Sequence, residues 1–208
     1  MKKLISIAIL AALCAAPAAA APSTLTLKAA PTVVVYGGST TLSGVLSTQK
    51  SGQRVDIQGQ ECGQTAFKKV TTVTTTTGGA FTFAAKPSIK TSYQAKQKNV
   101  TSPAVSVGTT PVLSLKKLAK NKFSVSVTAA QTFVGKFTVF QRFRVRSSKW
   151  VSLKHVTLTT LAQGTKPTEV SSATFTIKLP TKLKIRAVLP AAQATTCYLP
   201  TKSKVIRS

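Results

Sequence analysis

With an N-terminal leader set aside, the groups able to move protons near neutral pH are few. They are Asp56, Glu61, Glu169 and His155, with Cys62 and Cys197 as the thiols. Paired carboxylates cleave glycosidic bonds only when both face one substrate. Asp56 and Glu61 lie five residues apart with a strand end expected between them, which imposes no such facing. His155 sits in Lys154-His155-Val156, beside a lysine and without an acid and a nucleophile nearby to complete a triad. It reads as a surface histidine. One histidine, two separated cysteines and three carboxylates offer no dense ligand set for zinc or calcium. No glycine-rich run has a phosphate-cradling pattern, so the sequence predicts no catalytic residues, no metal and no cofactor.

Charge is the more informative signal. The chain carries 29 Lys and Arg against 3 Asp and Glu, a formal charge of +26. Removal of residues 1–20 takes Lys2 and Lys3 and leaves +24. Three carboxylates cannot neutralise this by pairing, so a positive field covers much of the surface and favours polyanionic partners. Two stretches concentrate it. Arg142, Arg144 and Arg146 alternate with Phe143 and Val145, and Lys182, Lys184 and Arg186 alternate with Leu183, Ile185 and Ala187. On a regular strand, alternate residues share a face about 6.6 Å apart, a comb suited to successive anionic groups. The aromatics, Phe143 and Trp150 included, are expected mostly on inward faces. That leaves no stacking platform of the kind that reads single-stranded nucleic acid.

The leader itself is legible. Met1-Lys2-Lys3, the apolar run Leu4 to Leu13 and Ala18-Ala19-Ala20 have the order of a secretory signal peptide. Export permits a disulfide, and the two remaining cysteines allow one intramolecular pairing, which would link the two halves of the chain. Both lie in loop-like contexts, and the sequence leaves the bridge and two separate thiols equally open.

The rest of the chain reads as short strands between turns. Thr24–Leu27, Val33–Tyr36, Thr40–Leu46 and Gln53–Gln58 are rich in β-branched residues or alternate with period two. Phe67–Thr75 spaces its apolar residues by three, and its β-branched composition favours a bulged strand over a helix. The arrangement then returns. Phe67, Val70 and Val73 reappear as Trp150, Leu153 and Val156, 83 residues on, and Thr40, Leu42 and Gly44 fall over Phe123, Val125 and Val127. Phe81-Thr82-Phe83 reappears as Phe175-Thr176-Ile177, and Ile89, Tyr93 and Ala95 as Leu183, Ala187 and Leu189, 94 residues on. Such a period is a duplication of whole domains. It divides the chain into a leader (1–20), a first β-sandwich (22–108), a linker (109–111) and a second β-sandwich (112–208), all-β throughout.

These motifs resemble bacterial, especially actinobacterial, secreted proteins with tandem immunoglobulin-like domains. Val33 to Gly44, Gly78-Gly79-Ala80-Phe81-Thr82-Phe83 and Ser102 to Val107 carry the likeness in the first copy, and Trp150-Val151-Ser152-Leu153 and Thr174-Phe175-Thr176-Ile177 more loosely in the second. The resemblance implies two immunoglobulin- or fibronectin-like sandwiches serving as envelope-exposed spacers, adhesion elements or binding modules, with no catalytic residues to carry over. The expectation is a secreted or cell-surface protein, non-catalytic, that associates with anionic cell-wall polymer or an anionic membrane surface. Two alternatives stand beside it: a secreted polymer-modifying or hydrolytic enzyme, and a non-specific polyanion or nucleic-acid binder. A membrane-disrupting protein would need an exposed apolar face beside its lysines, which the expected burial of the strand faces disfavours.

Overall fold

The computed structural model describes residues 23–208; the expected leader, 1–20, lies outside them. The chain is all-β. Its N-terminal half forms β1 (Lys28–Ala30), β2 (Val33–Val35), β3 (Thr40–Val45), β4 (Arg54–Glu61), β5 (Lys68–Thr74), β6 (Ala80–Ala85), β7 (Thr91–Gln97), β8 (Val100–Thr101) and β9 (Val105–Thr110). Its C-terminal half forms β10 (Val112–Ala119), β11 (Lys122–Ala129), β12 (Phe137–Arg144), β13 (Lys149–Thr157), β14 (Thr160–Gln163), β15 (Glu169–Thr176), β16 (Lys184–Leu189), β17 (Thr201–Lys202) and β18 (Ile206–Arg207). The stretch Thr24–Leu27, expected as a first strand, makes only a bridge between Leu25 and Leu46, although Leu25 and Leu27 are buried as their alternation requires.

Four sheets result. In the N-terminal half, β1-β3-β6 stands apart from β2-β9-β7-β4-β5, which also holds β8. In the C-terminal half, β10-β11-β15-β14 stands apart from β13-β12-β16-β17, with β18 against β16. Pairing is antiparallel except between β2 and β9. Each half has its own apolar cluster drawing on both of its sheets. Leu42 and Phe81 meet Val55, Ile57 and Ala95 in one, and Phe123, Val125 and Phe175 meet Phe140, Ile185 and Ala187 in the other. Alternation is the cause. Val55 and Ile57 are buried on β4, as are Thr138 and Phe140 on β12. Thr138 occupies an apolar phase and satisfies its hydroxyl by donating to the Val156 carbonyl.

The duplication is visible in hydrogen bonds, and these correct its register. β4 and β5 slip between Ile57 and Gln58, leaving Val70 unpaired; β12 and β13 slip between Phe140 and Gln141, leaving Leu153 unpaired. This bulge, anticipated on β5, recurs 83 residues later, as expected. Between β7 and β16 the offset is 92, two fewer than the sequence suggests. Ala95 N–H donates to Ser102 Oγ, and Ser102 N–H to the Ala95 carbonyl, each at 2.9 Å. Ala187 and Ser203 repeat both bonds at 2.9 Å. Ala95 therefore corresponds to Ala187, not to Leu189. A slip of two keeps every side chain on its face, so apolar matching alone does not detect it.

The two halves meet at a seam. Pro111 alone separates β9 from β10, because Thr109 and Thr110, expected in a linker, belong to β9. Cys62 and Cys197 form a disulfide across it, 135 residues apart in sequence. Between them Lys90 is held at both backbone groups: its carbonyl accepts from Cys62 N–H at 2.8 Å and its N–H donates to the Cys197 carbonyl at 3.1 Å. The Tyr198 hydroxyl, 4% exposed as a residue, donates to the Ser88 carbonyl at 2.7 Å and accepts from Ala130 N–H at 2.8 Å. Tyr36 Oη lies 2.9 Å from Thr168 Oγ1. Gly108 packs so closely on Leu199 that a Cβ there would fall 2.6 Å from Leu199 Cδ1.

Candidate binding face

The acid–base candidates are dispersed. Asp56 on β4 accepts from Lys69 Nζ at 2.8 Å and from Thr72 Oγ1 at 2.5 Å. The bond from Lys69, then that from Thr72, holds its carboxyl below the usual range. His155 on β13, in another sheet, stacks on Phe137 with ring centroids 4.5 Å apart. Asp56 and His155 are therefore not brought together. Among the described residues, no group of three His, Cys, Asp or Glu side chains is placed to hold a metal ion.

The basic residues are arranged differently from the expected combs. On β12 the inward phase runs through Thr138 and Phe140 and continues into Arg142, which is half-buried. Arg144 follows that phase past the packed core into solvent. The strand ends there, and Arg146 lies in a 3-10 turn, Val145–Ser147, closed by Ser148 in the left-handed region. The three arginines thus form no solvent-facing row. Phe143, expected inward, is on the outer face instead. On β16 the alternation holds: Ile185 and Ala187 are buried, Lys184 is exposed and Arg186 half-buried on the outer side. Lys182 precedes the strand in a left-handed turn residue.

What this places together is an aromatic and cationic cluster on the outer face of the β13-β12-β16 sheet. Phe143 pairs with Trp150 across β12 and β13, with ring centroids 5.4 Å apart. The Arg186 guanidinium lies 4.0 Å from the Trp150 centroid, and its Nε donates to Gln141 Oε1 at 2.9 Å. Lys184 Nζ lies 5.9 Å from the Phe143 centroid. Desolvation lowers the Arg186 pKa from its ordinary value, yet a guanidinium stays charged at any physiological pH. Cation–π contacts of this kind contribute about 0.5–1 kcal/mol at exposed sites.

Two shallow depressions flank the cluster and share Phe143 and Lys184. One, of about 340 Å³, is completed by Trp150 and Val205. The other, of about 230 Å³, is completed by Val145, Lys182, Leu183 and Arg207. Residues 207 and 208 are tied to the segment before β16. Arg207 Nη1 donates to the Lys182 carbonyl at 3.1 Å, and Ser208 Oγ donates to the Pro180 carbonyl at 2.7 Å. No carboxylate lines either depression. The N-terminal half has a cleft of about 330 Å³ lined by Val70, Phe83 and Tyr93 among others, but its rim mixes Glu61 with Lys68 and Lys86 and has no single sign.

The outer position of Trp150 is not legible from alternation, because the bulge at Leu153 shifts the phase of β13 between Trp150 and Val156; that of Phe143 follows from the inward phase of β12 running through Phe140 and Arg142. The three-residue spacing that announced the bulge was the available signal. No family model matches the chain, and no curated protein matches it.

Proposed function

We propose that this chain is a secreted, non-catalytic pair of immunoglobulin-like β-sandwiches, joined at a stapled seam, that associates with anionic cell-envelope material. The observation that carries this reading is the charge. A mature chain of +24 has three carboxylates, and one of them, Asp56, forms the salt bridge found among the described residues. The remaining cations are free to meet external anions. The disulfide fits an oxidising exterior, where such bonds persist. Two sheets contributing to one apolar cluster in each half, and the parallel β2–β9 pair, support the immunoglobulin-like assignment. The domain limits proposed are those of the sequence, 22–108 and 112–208.

The test is retention of the mature protein by isolated wall polymer, anionic and neutral lipid vesicles, neutral glycans and duplex DNA, each at about 50 and about 300 mM salt, across which the screening length falls severalfold below that of dilute buffer. Retention by anionic members but not neutral glycans is expected. Failure to bind any polyanion at the lower salt overturns the reading, and shortening of the polymer on incubation establishes the enzymatic alternative instead. Equal binding to every polyanion, lost together as salt rises, identifies a non-specific binder.

A further inference from the structure

The pole of the C-terminal half at the end of β16 away from the seam combines features that general charge does not require. β16 starts there at Lys184 and runs toward Leu189 and then Cys197, so the pole and the disulfide lie at opposite ends of one strand. At the pole the β12–β13 turn presents Val145 at 80% exposure, and the turn before β18 presents Val205 at 50%. Both border Phe143, whose ring links the two depressions. An apolar side chain at a turn tip gains nothing from water, and contiguous exposed apolar groups rimmed by charge mark interaction surfaces. The charged side chains of the rim are all positive: Arg144, Arg146 and Lys149 around the first turn, Lys182, Lys184 and Arg207 around the second.

The chemistry of the occupant follows from which groups are available. Arg186 lies over Trp150 at 4.0 Å, so that guanidinium occupies a ring face that a sugar or a base would need for stacking. A polysaccharide or nucleic acid would engage the cations and leave Val145 and Val205 in water. A lipid surface uses both. Its anionic headgroups meet the lysine and arginine rim, and its acyl boundary receives the valines and Phe143, the combination by which peripheral proteins dock. We infer that this pole is a docking site for an anionic lipid surface, with Val145 and Val205 inserting at the headgroup boundary and Lys182, Lys184 and Arg207 contacting headgroups. The inference rests on the envelope-binding reading and narrows it to the membrane.

Trp150 is the chain's one tryptophan and belongs to this cluster, so its fluorescence reports the site directly. The experiment measures co-sedimentation of the mature protein with vesicles of phosphatidylglycerol and phosphatidylcholine, and of phosphatidylcholine alone. It also measures quenching of Trp150 by lipid brominated near the acyl carbonyl. Isolated wall polymer is run in parallel. Anionic vesicles are expected to retain and quench the protein. Val145→Asp places a charge where insertion is needed and lowers vesicle binding by about tenfold or more while polymer binding is unchanged. The paired variant Lys182→Glu, Lys184→Glu lowers it independently, and matching circular dichroism and melting show that each variant folds. Vesicle binding without quenching, or unaltered by Val145→Asp, overturns the insertion site. Binding to wall polymer but not vesicles overturns it while leaving envelope association standing, and a Trp150 response to polymer alone makes the cluster a glycan site. Failure to bind any polyanion overturns both readings.

Discussion

Tyr198 shows how much of the seam rests on single polar groups. Its hydroxyl bonds to a carbonyl of the N-terminal half and an N–H of the C-terminal half, so Tyr198→Phe leaves a donor and an acceptor without partners. An orphaned buried group costs about 1–3 kcal/mol, and a fall of that size in the unfolding free energy from denaturant titration is expected. The same hydroxyl sets an alkaline limit. Burial pushes its pKa up to about 12 from 10.0. Since the folded value is the higher, the unfolded state loses the proton first. Stability from this group is complete below about pH 10 and declines as pH rises toward about 12. Melting temperatures across that window should fall less steeply in Tyr198→Phe than in the parent, whereas parallel curves would show that the phenol does not titrate with folding. Nothing local in the sequence marks Tyr198 for burial, because its hydroxyl is held by a carbonyl 110 residues away.

At the scale of elements, the duplicated strands keep their geometry while exchanging their side chains. At the 83-residue offset, Gly44 facing Phe81 corresponds to Val127 facing Ser171, small against large in opposite order. The phenylalanine fills the space beside Gly44 so fully that a Cβ there would meet both its ring and the Thr26 carbonyl oxygen. Gly44→Ala should therefore lower stability by about 1–3 kcal/mol, read from the denaturant midpoint. Adding Phe81→Ala should fail to restore it, since the Thr26 backbone remains and a cavity is added. Full recovery in the double variant would place the conflict in the ring alone. A glycine inside a strand pattern is itself a signal of close backbone approach, and the pairing of Gly44 with Phe81 realises it. Strand identity and the bulge on β5 were likewise legible, because alternation and β-branched composition are local. The 92-residue offset was not, because a two-residue slip preserves the apolar pattern. The arginine row failed for a related reason: alternation on β12 was assigned to the wrong face, and the strand ends before Arg146.

For the whole molecule, the Cys62–Cys197 bond is the feature the sequence left open. Both cysteines sit in turns outside the strands, and only the approach of the two halves, each with its own apolar cluster, brings them together. Closing so long a loop restricts the unfolded chain, and replacing both cysteines by serine should cost about 2–5 kcal/mol, measured by chemical denaturation under oxidising conditions. A larger transition midpoint in the variant would show that the bridge strains the seam. Amide exchange at Lys90 and at position 62, whose N–H groups make the clamp, should quicken with it, because the bridge holds the backbone clamp closed.

That bond also decides how the molecule carries tension. A pull applied between residues 23 and 208 reaches Cys62, crosses to Cys197 and leaves through the last strands, so the polypeptide between the cysteines bears none of the load. At roughly 3.3–3.6 Å per extended residue, only about 50 residues can pay out before the covalent path is taut. Reduction would release the remainder. A protein anchored at one end to an envelope and at the other to a partner would behave as a short tether outside the cell and as a long one in a reducing environment.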